Sequence, residues 1–301
     1  MIKKYFEENG LKINLNKSKI VIFQRGGKHS AKEKWFWGDE TIQVVNNYKY
    51  LGTYFSSTGN FQLHTAQAIK KSYLALNKIN PLLHKTNIPT LKYRCKIFDS
   101  MVKNVLLYAS PVWSFGNEVE IEKVQSMFLR RTLHLNPLTP SYILRLETGR
   151  LPLEFNSFKN TLSFWLRLIS LNDNRIVKQA YLSLKDLKSG SQENNWCEKL
   201  KSKLNSLGFS SIWENQDPDL IKDNIPNILE AFITNSIQKD FASVENSNRY
   251  SFYKLYKSSF RPEIHLNESN FPLHIIRVFA QIRVNIDTIR TKNSILRFQT
   301  P

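Results

Sequence analysis

Cysteine is scarce in this 301-residue chain: Cys95 and Cys197 stand alone, with no CxxC pair and no Cys/His cluster. That spacing indicates neither a zinc site nor a disulfide framework. Two isolated thiols read as reduced, buried, small apolar residues, which suits an intracellular location, nucleus or cytoplasm, and not secretion. Long apolar runs are missing too. The longest, such as Val105–Ala109, fall far short of the ~20 residues that span a bilayer. The first residues, Met-Ile-Lys-Lys-Tyr-Phe-Glu-Glu, lack a signal-peptide core. No membrane partner is expected. The sequence also has no GxxxxGK, GxGxxG, HExxH or GxSxG motif. Acidic groupings are few. Asp39-Glu40 falls in a predicted hairpin turn, Asp217-Pro218-Asp219 reads as a loop, and Glu118, Glu120 and Glu122 open a helix, where acids favour the dipole. Two-metal polymerase or nuclease chemistry needs carboxylates converging on ions about 4 Å apart. No such set is visible.

What the chain does have is apolar residues at 41%, aromatics at 12% and a net charge of +18. The apolar fraction is ample for a packed core and argues against wholesale disorder. The charge is uneven: residues 1–104 carry 18 Lys/Arg against 6 Asp/Glu, a net of +12, while residues 105–301 carry 25 against 19. A basic excess focused on one region is the footprint expected of a polyanion partner.

Upstream of about residue 56 the pattern is strands and turns. A helix over residues 1–9 ends at Gly10. Ser18–Gln24 is β-branched and reads as a buried strand. Arg25–Ala31 is a basic connector, and Trp35–Trp37 with Thr41–Val45 form a hairpin around Gly38-Asp39-Glu40. Tyr48–Phe55 reads as a further, aromatic strand. From Phe61 the period becomes helical, with Ala66, Ile69, Tyr73 and Leu76 on one stripe and Lys70, Lys71 and Lys78 off it. Pro89 opens a second helix that buries Leu91, Cys95, Phe98, Val102 and Val105 and shows Lys92, Arg94, Lys96 and Lys103 outward. Two more helices carry Ile121, Val124, Phe128 and Leu135, then Phe155, Phe158, Leu162, Trp165 and Ile169. Lys185–Asn195 reads as a linker. Helix resumes from Trp196 to about Arg290, punctuated by Pro218, Pro226, Pro262 and Pro272.

Four short motifs carry a resemblance. Gly10-Leu-Lys-Ile-Asn14-Leu-Asn-Lys17-Ser18 precedes an apolar segment, and Tyr50-Leu51-Gly52 is followed by Phe61 and His64. Val105-Leu-Leu-Tyr108-Ala109-Ser-Pro-Val-Trp113 comes next, then Leu146-Glu147-Thr-Gly149-Arg-Leu-Pro152-Leu153. In this order the chain resembles non-LTR (LINE-type) retrotransposon reverse transcriptases from the end of the palm through the thumb. Ala109 stands where that pattern usually has glycine. The resemblance implies an α+β fold: a small antiparallel palm remnant with a primer-grip hairpin over residues 1–56, a helical thumb over 57–172 and a helical connector over 173–301. It begins after the family's metal-binding aspartates. The chain is therefore expected to be an excerpt of an RNA-directed DNA polymerase, inactive alone, with no cofactor of its own and Mg²⁺ required only by the intact enzyme.

By the same resemblance the partners are RNA and DNA, as a template–primer duplex held without sequence preference. The candidate contacts are Lys17, Lys19, Tyr50, Leu51, Gly52, His64, Lys70, Lys71 and Lys78. Lys17 matches a lysine that the family would use as general acid; an exposed surface lysine is the reading favoured here. Tyr50-Leu51-Gly52 would support the primer end or pack as an aromatic hairpin, and both can hold. His64 is read as a helix-start residue, and the three α-helical lysines as a solvated face that tracks phosphates. Trp35, Trp37 and Tyr54 are expected in the core more than on bases, and Trp113 and Trp165 in the core outright. The alternative is a non-catalytic helical interaction module, or relic, derived from a transposon.

Overall fold

The structure, a computed structural model, describes residues 2–24, 33–85, 90–187, 195–250, 253–263, 266 and 271–284. The fold is α+β: two small antiparallel sheets of two strands each, followed by helices. The chain divides into two compact units, Met1–Gln67 and Ala68–Pro301.

In the first unit, α1 (Ile2–Glu8) stops where Gly10 takes a φ of 63°, a left-handed conformation that costs glycine nothing. Strands β1 (Trp35–Trp37) and β2 (Glu40–Ile42) pair antiparallel with Trp37 opposite Glu40. Strands β3 (Asn47–Tyr50) and β4 (Thr53–Ser56) pair with Tyr50 opposite Thr53. The strand that the residue pattern gave for Tyr48–Phe55 is thus two strands, with a turn at Leu51-Gly52 within the Tyr50-Leu51-Gly52 that the resemblance put in a primer-grip hairpin. Leu51 and Gly52, with φ of 46° and 88°, supply a type I′ turn whose twist matches that of the flanking strands.

Ser18–Gln24 also departs from expectation. It is extended, but makes one parallel bridge, Ile20 to Val44, and Phe23 is exposed. Composition gave it strand propensity, yet a strand needs a continuous partner ladder, and here only isolated backbone bonds form. The connector Arg25–Ala31 lies outside the described residues.

Helix α2 (Gln62–Lys85) contains the boundary between the units. Its buried positions are Thr65, Ala68, Ser72, Leu76, Ile79 and Leu83, spaced three and four apart; Ala66 is exposed. Pro89 is outside the described residues, and α3 (Leu91–Phe98) follows Thr90. A π-helical turn, Asp99–Lys103, then leads into α4 (Asn104–Leu106). The wider turn delays the buried face by one residue, so Leu106 is buried where Val105 was expected and Val105 faces out.

The remaining helices are α5 (Ser110–Trp113), α6 (Glu118–Leu133), α7 (Ser141–Thr148), α8 (Leu153–Ile169), α9 (Ile176–Asp186), α10 (Trp196–Ser206), α11 (Ser210–Asn215), α12 (Pro218–Glu245) and α13 (Tyr253–Tyr256), then a helical run over 273–284. Most of the expected 185–195 linker and residues 285–290 lie outside the described residues, although Lys185 belongs to α9. Pro218 opens α12, whereas Pro226 sits inside it and does not end it. Aromatic stacking marks the core: Phe98 on Phe128 at 4.5 Å and Trp165 on Trp213 at 5.6 Å between ring centroids. Trp113 and Trp165 are fully buried, and both cysteines are free and buried.

Candidate nucleic-acid interface

The first set of candidate residues is built around the Leu51-Gly52 turn. Asn14 folds the chain ahead of it. Its carbonyl accepts from the Lys17 and Ser18 N–H groups at 3.0 and 2.9 Å, and its Oδ1 accepts from Lys17 N at 3.2 Å. Tyr48, on β3, donates its hydroxyl to the Lys17 carbonyl at 2.5 Å. That bond ties the Asn14–Lys17 turn to the second hairpin and leaves the Lys17 side chain exposed. Lys19 Nζ donates to Gln43 Oε1 at 2.8 Å.

The pleat sorts the hairpin's faces. Tyr48 and Tyr50 share one side, and Lys49 takes the other, opposite Tyr54. Lys49 Nζ sits 5.7 Å from the Tyr54 ring centroid. At the tip, Tyr50 is 59% and Leu51 73% exposed. His64 is placed differently. It is buried at 4% exposure, and its Nδ1 accepts the Tyr54 backbone N–H at 3.3 Å. Tyr54 lies at a non-hydrogen-bonded position of the ladder, so its N–H points away from β3 and is available to the imidazole. His64 therefore orients the hairpin from behind. Trp35 is 48% exposed, not in a core, and Trp37 meets Phe6 edge-on at 5.3 Å.

The second set lies on helices of the second unit. Lys70, Lys71 and Lys78 of α2 are all exposed, as expected. Lys85 is exposed as well, and Lys71, Lys78 and Lys85 repeat every seven residues. Seven residues are close to two turns, so the three align within about 20° per repeat, roughly 10 Å apart. That register was readable in the sequence and passed over. On α3, Lys92, Tyr93 and Lys96 are exposed, with Lys96 Nζ 5.5 Å from the Tyr93 ring centroid. Arg94, expected on that outer face, is instead buried and donates to the Leu83 carbonyl at 2.9 Å.

The two downstream motifs are structural. Ala109 holds a left-handed φ of 54°, a conformation that costs glycine less. Glu147 is fully buried and accepts from Tyr253 Oη at 2.8 Å and Arg283 Nε at 2.9 Å; burial pushes its carboxyl up while Arg283 opposes that. Gly149 has φ 63°, and a Cβ there would lie 2.5 Å from Pro262 N and Cδ, so the segment beyond α13 packs directly on its backbone. Leu153 N–H donates to Glu122 Oε2 at 2.9 Å, and Glu122 also pairs with Arg145, which holds Asp240.

Among the described residues, no three His, Cys, Asp or Glu side chains group closely enough to hold a metal ion. No described helix is long and apolar enough to cross a membrane. Comparisons with protein-family models, with curated proteins and with solved structures find no match to this chain.

Proposed function

We propose that this chain is part of an RNA-directed DNA polymerase of the non-LTR retrotransposon kind, holding template–primer nucleic acid without supplying the catalytic aspartates. One observation carries the reading: the hairpin tip, where exposed Tyr50 and Leu51 lead directly into Gly52, a residue with no Cβ. A tip of this shape suits close approach of a sugar–phosphate backbone to the protein main chain. The Asn14–Lys17 turn bonded to it, the net +12 of residues 1–104 and the lysine register of α2 support the same partner. Contacts of this type supply affinity and salt dependence without sequence readout. Lys17 acts here as a surface cation. Mg²⁺ belongs to the intact enzyme, and no chemical step is assigned to this chain.

Fluorescence anisotropy with an RNA–DNA hybrid tests the reading. Affinity is expected to fall steeply as salt rises, and Lys70→Glu, Lys71→Glu and Lys78→Glu together weaken binding by about tenfold or more. Purified chain given primed template, dNTPs and Mg²⁺ is expected to extend nothing. A binding constant indifferent to salt would falsify the interface, and primer extension would overturn the non-catalytic part. The competing reading, a helical module docking a protein through apolar faces of residues 105–290, draws on exposed Val278, Phe279 and Ile282. It requires weak nucleic-acid binding at every salt concentration and partner binding untouched by the three charge reversals.

A further inference from the structure

The second unit holds a cavity of about 730 Å³ lined by α2, α3, α6, the loop after α6 and the helical run over 273–284. Four arginines line it: Arg94, Arg130, Arg131 and Arg277. Among the described residues, no carboxylate does. Three arginines outside the cavity, Arg145, Arg150 and Arg283, by contrast each pair with an acid. Three of the cavity arginines, Arg130, Arg131 and Arg277, donate to neutral acceptors. Arg130 Nε and Nη2 donate to the Thr139 carbonyl at 2.9 and 2.7 Å, Arg131 Nη1 to Asn77 Oδ1 at 3.0 Å, and Arg277 Nε to the Thr132 carbonyl at 3.0 Å. These bonds fix the guanidinium planes and engage only part of each five-donor fork.

Partly burying a guanidinium costs free energy that an anion would offset. Arg131 is exposed, and a fifth lining cation, Lys123, pairs with Glu120. Burial lowers the pKa of Arg94, Arg130 and Arg277, and the like charge of Arg277 lowers Arg94 further. The like-charge repulsion between Arg277 and Arg94 is one that a bound anion would relieve. The other walls are of a different kind: Leu83, Met127, Leu135 and the Tyr73 ring give an apolar side. The volume lies within the roughly 300–1,000 Å³ typical of small-molecule sites. Planar forked donors match phosphate oxygens two at a time.

We infer that this cavity is a site for a terminal phosphate on a nucleotide-sized group, gripped by Arg130, Arg131 and Arg277, with the organic part against Leu83 and Met127. The ligand is either a free nucleotide or the phosphorylated end of a strand; the chemistry is shared. None of these three arginines is among the residues proposed to hold the duplex, so the inference stands whether or not duplex binding is found.

Isothermal titration of the full chain with ATP, pyrophosphate and adenosine tests it. ATP and pyrophosphate are expected to bind at least tenfold more tightly than adenosine. Arg277→Gln and Arg131→Gln should each weaken ATP binding tenfold or more, while Lys222→Glu, an exposed charge control on α12, leaves it unchanged. Arg131 is itself exposed, so its variant keeps the test decisive if Arg277→Gln unfolds. Displacement of ATP by a 5′-phosphorylated hexanucleotide but not its 5′-hydroxyl form identifies a strand end; displacement by neither identifies a free nucleotide. Equal displacement by both forms, equal affinity for ATP and adenosine, or full ATP affinity in the folded glutamine variants overturns the site.

Discussion

The two units differ in what they bury. Among the described residues up to Gln67, no hydrophobic side chain is buried, and the few buried side chains are polar: Thr53, His64 and Thr65. From Ala68 onward a core exists: Leu76, Phe98, Trp113, Phe128 and Trp165 are each at most 1% exposed. The first unit is held by turns, two short hairpins and polar bonds such as Tyr48 to Lys17 and Tyr54 to His64. Two-stranded hairpins are marginal alone. Tyr50 and Trp35 of the first unit are left at the surface, whereas Trp113, Trp165, Phe98 and Phe128 of the second are buried, although Tyr93 and Tyr108 there stay exposed. A region that binds is allowed to be poorly packed, because free energy not used in folding can be released on binding.

Truncating one tryptophan in each unit breaks or sharpens that contrast most strongly. Trp165, buried and stacked on Trp213, is expected to cost about 3–5 kcal/mol when changed to Ala. Trp35→Ala, at a half-exposed position, should cost under about 1 kcal/mol while weakening hybrid binding if the aromatic surface is used. Urea unfolding followed by circular dichroism measures both. Equal costs would mean that the first unit has a core after all.

Gly149→Ala comes next. The added methyl would meet Pro262 at 2.5 Å from a backbone already left-handed, so overpacking and strain together should cost about 2–3 kcal/mol. The loss should be confined to the second unit: amide exchange in residues 253–263 rises, and exchange across β3 and β4 does not change.

The sequence disclosed the second unit better than the first, for a physical reason. Long helices with fully buried faces leave a 3.6-residue apolar period, so Phe158, Leu162, Trp165 and Ile169 could be read directly as one face. Where the period misled, at Val105, a π turn had shifted the register. Among the described residues of the first unit nothing apolar is fully buried, so alternation carried less information, and Ser18–Gln24 looked like a buried strand. The pattern read Tyr48–Phe55 as one strand, the turn at Tyr50-Leu51-Gly52 being indicated only by the resemblance. Leucine is a poor signal for a left-handed turn. Of the candidate site, the exposed lysines followed from helical phase alone. The burial of His64 and the inward turn of Arg94 depended on tertiary packing that no local pattern records.

The smallest effects probe strain that both units share. Leu51 and Ala109 hold φ of 46° and 54° without being glycine. A left-handed residue with a side chain costs roughly 1–2 kcal/mol, whereas glycine adds about 0.5–1 kcal/mol of unfolded-chain entropy. Ala109→Gly should therefore stabilise the second unit by about 0.5–1 kcal/mol, read as a higher urea midpoint with unchanged slope. Leu51→Asn gives the turn an Asn-Gly pair, which tolerates this geometry, and should gain about as much locally. Its gain should appear as slower amide exchange in β3 and β4, with the midpoint of the second unit unmoved. If Leu51→Asn also leaves hybrid affinity intact, the turn's backbone makes the contact; if affinity falls severalfold, the leucine side chain itself does. A midpoint shift common to both substitutions would show that the two units unfold together, and the contrast between them would then be one of packing and not of stability.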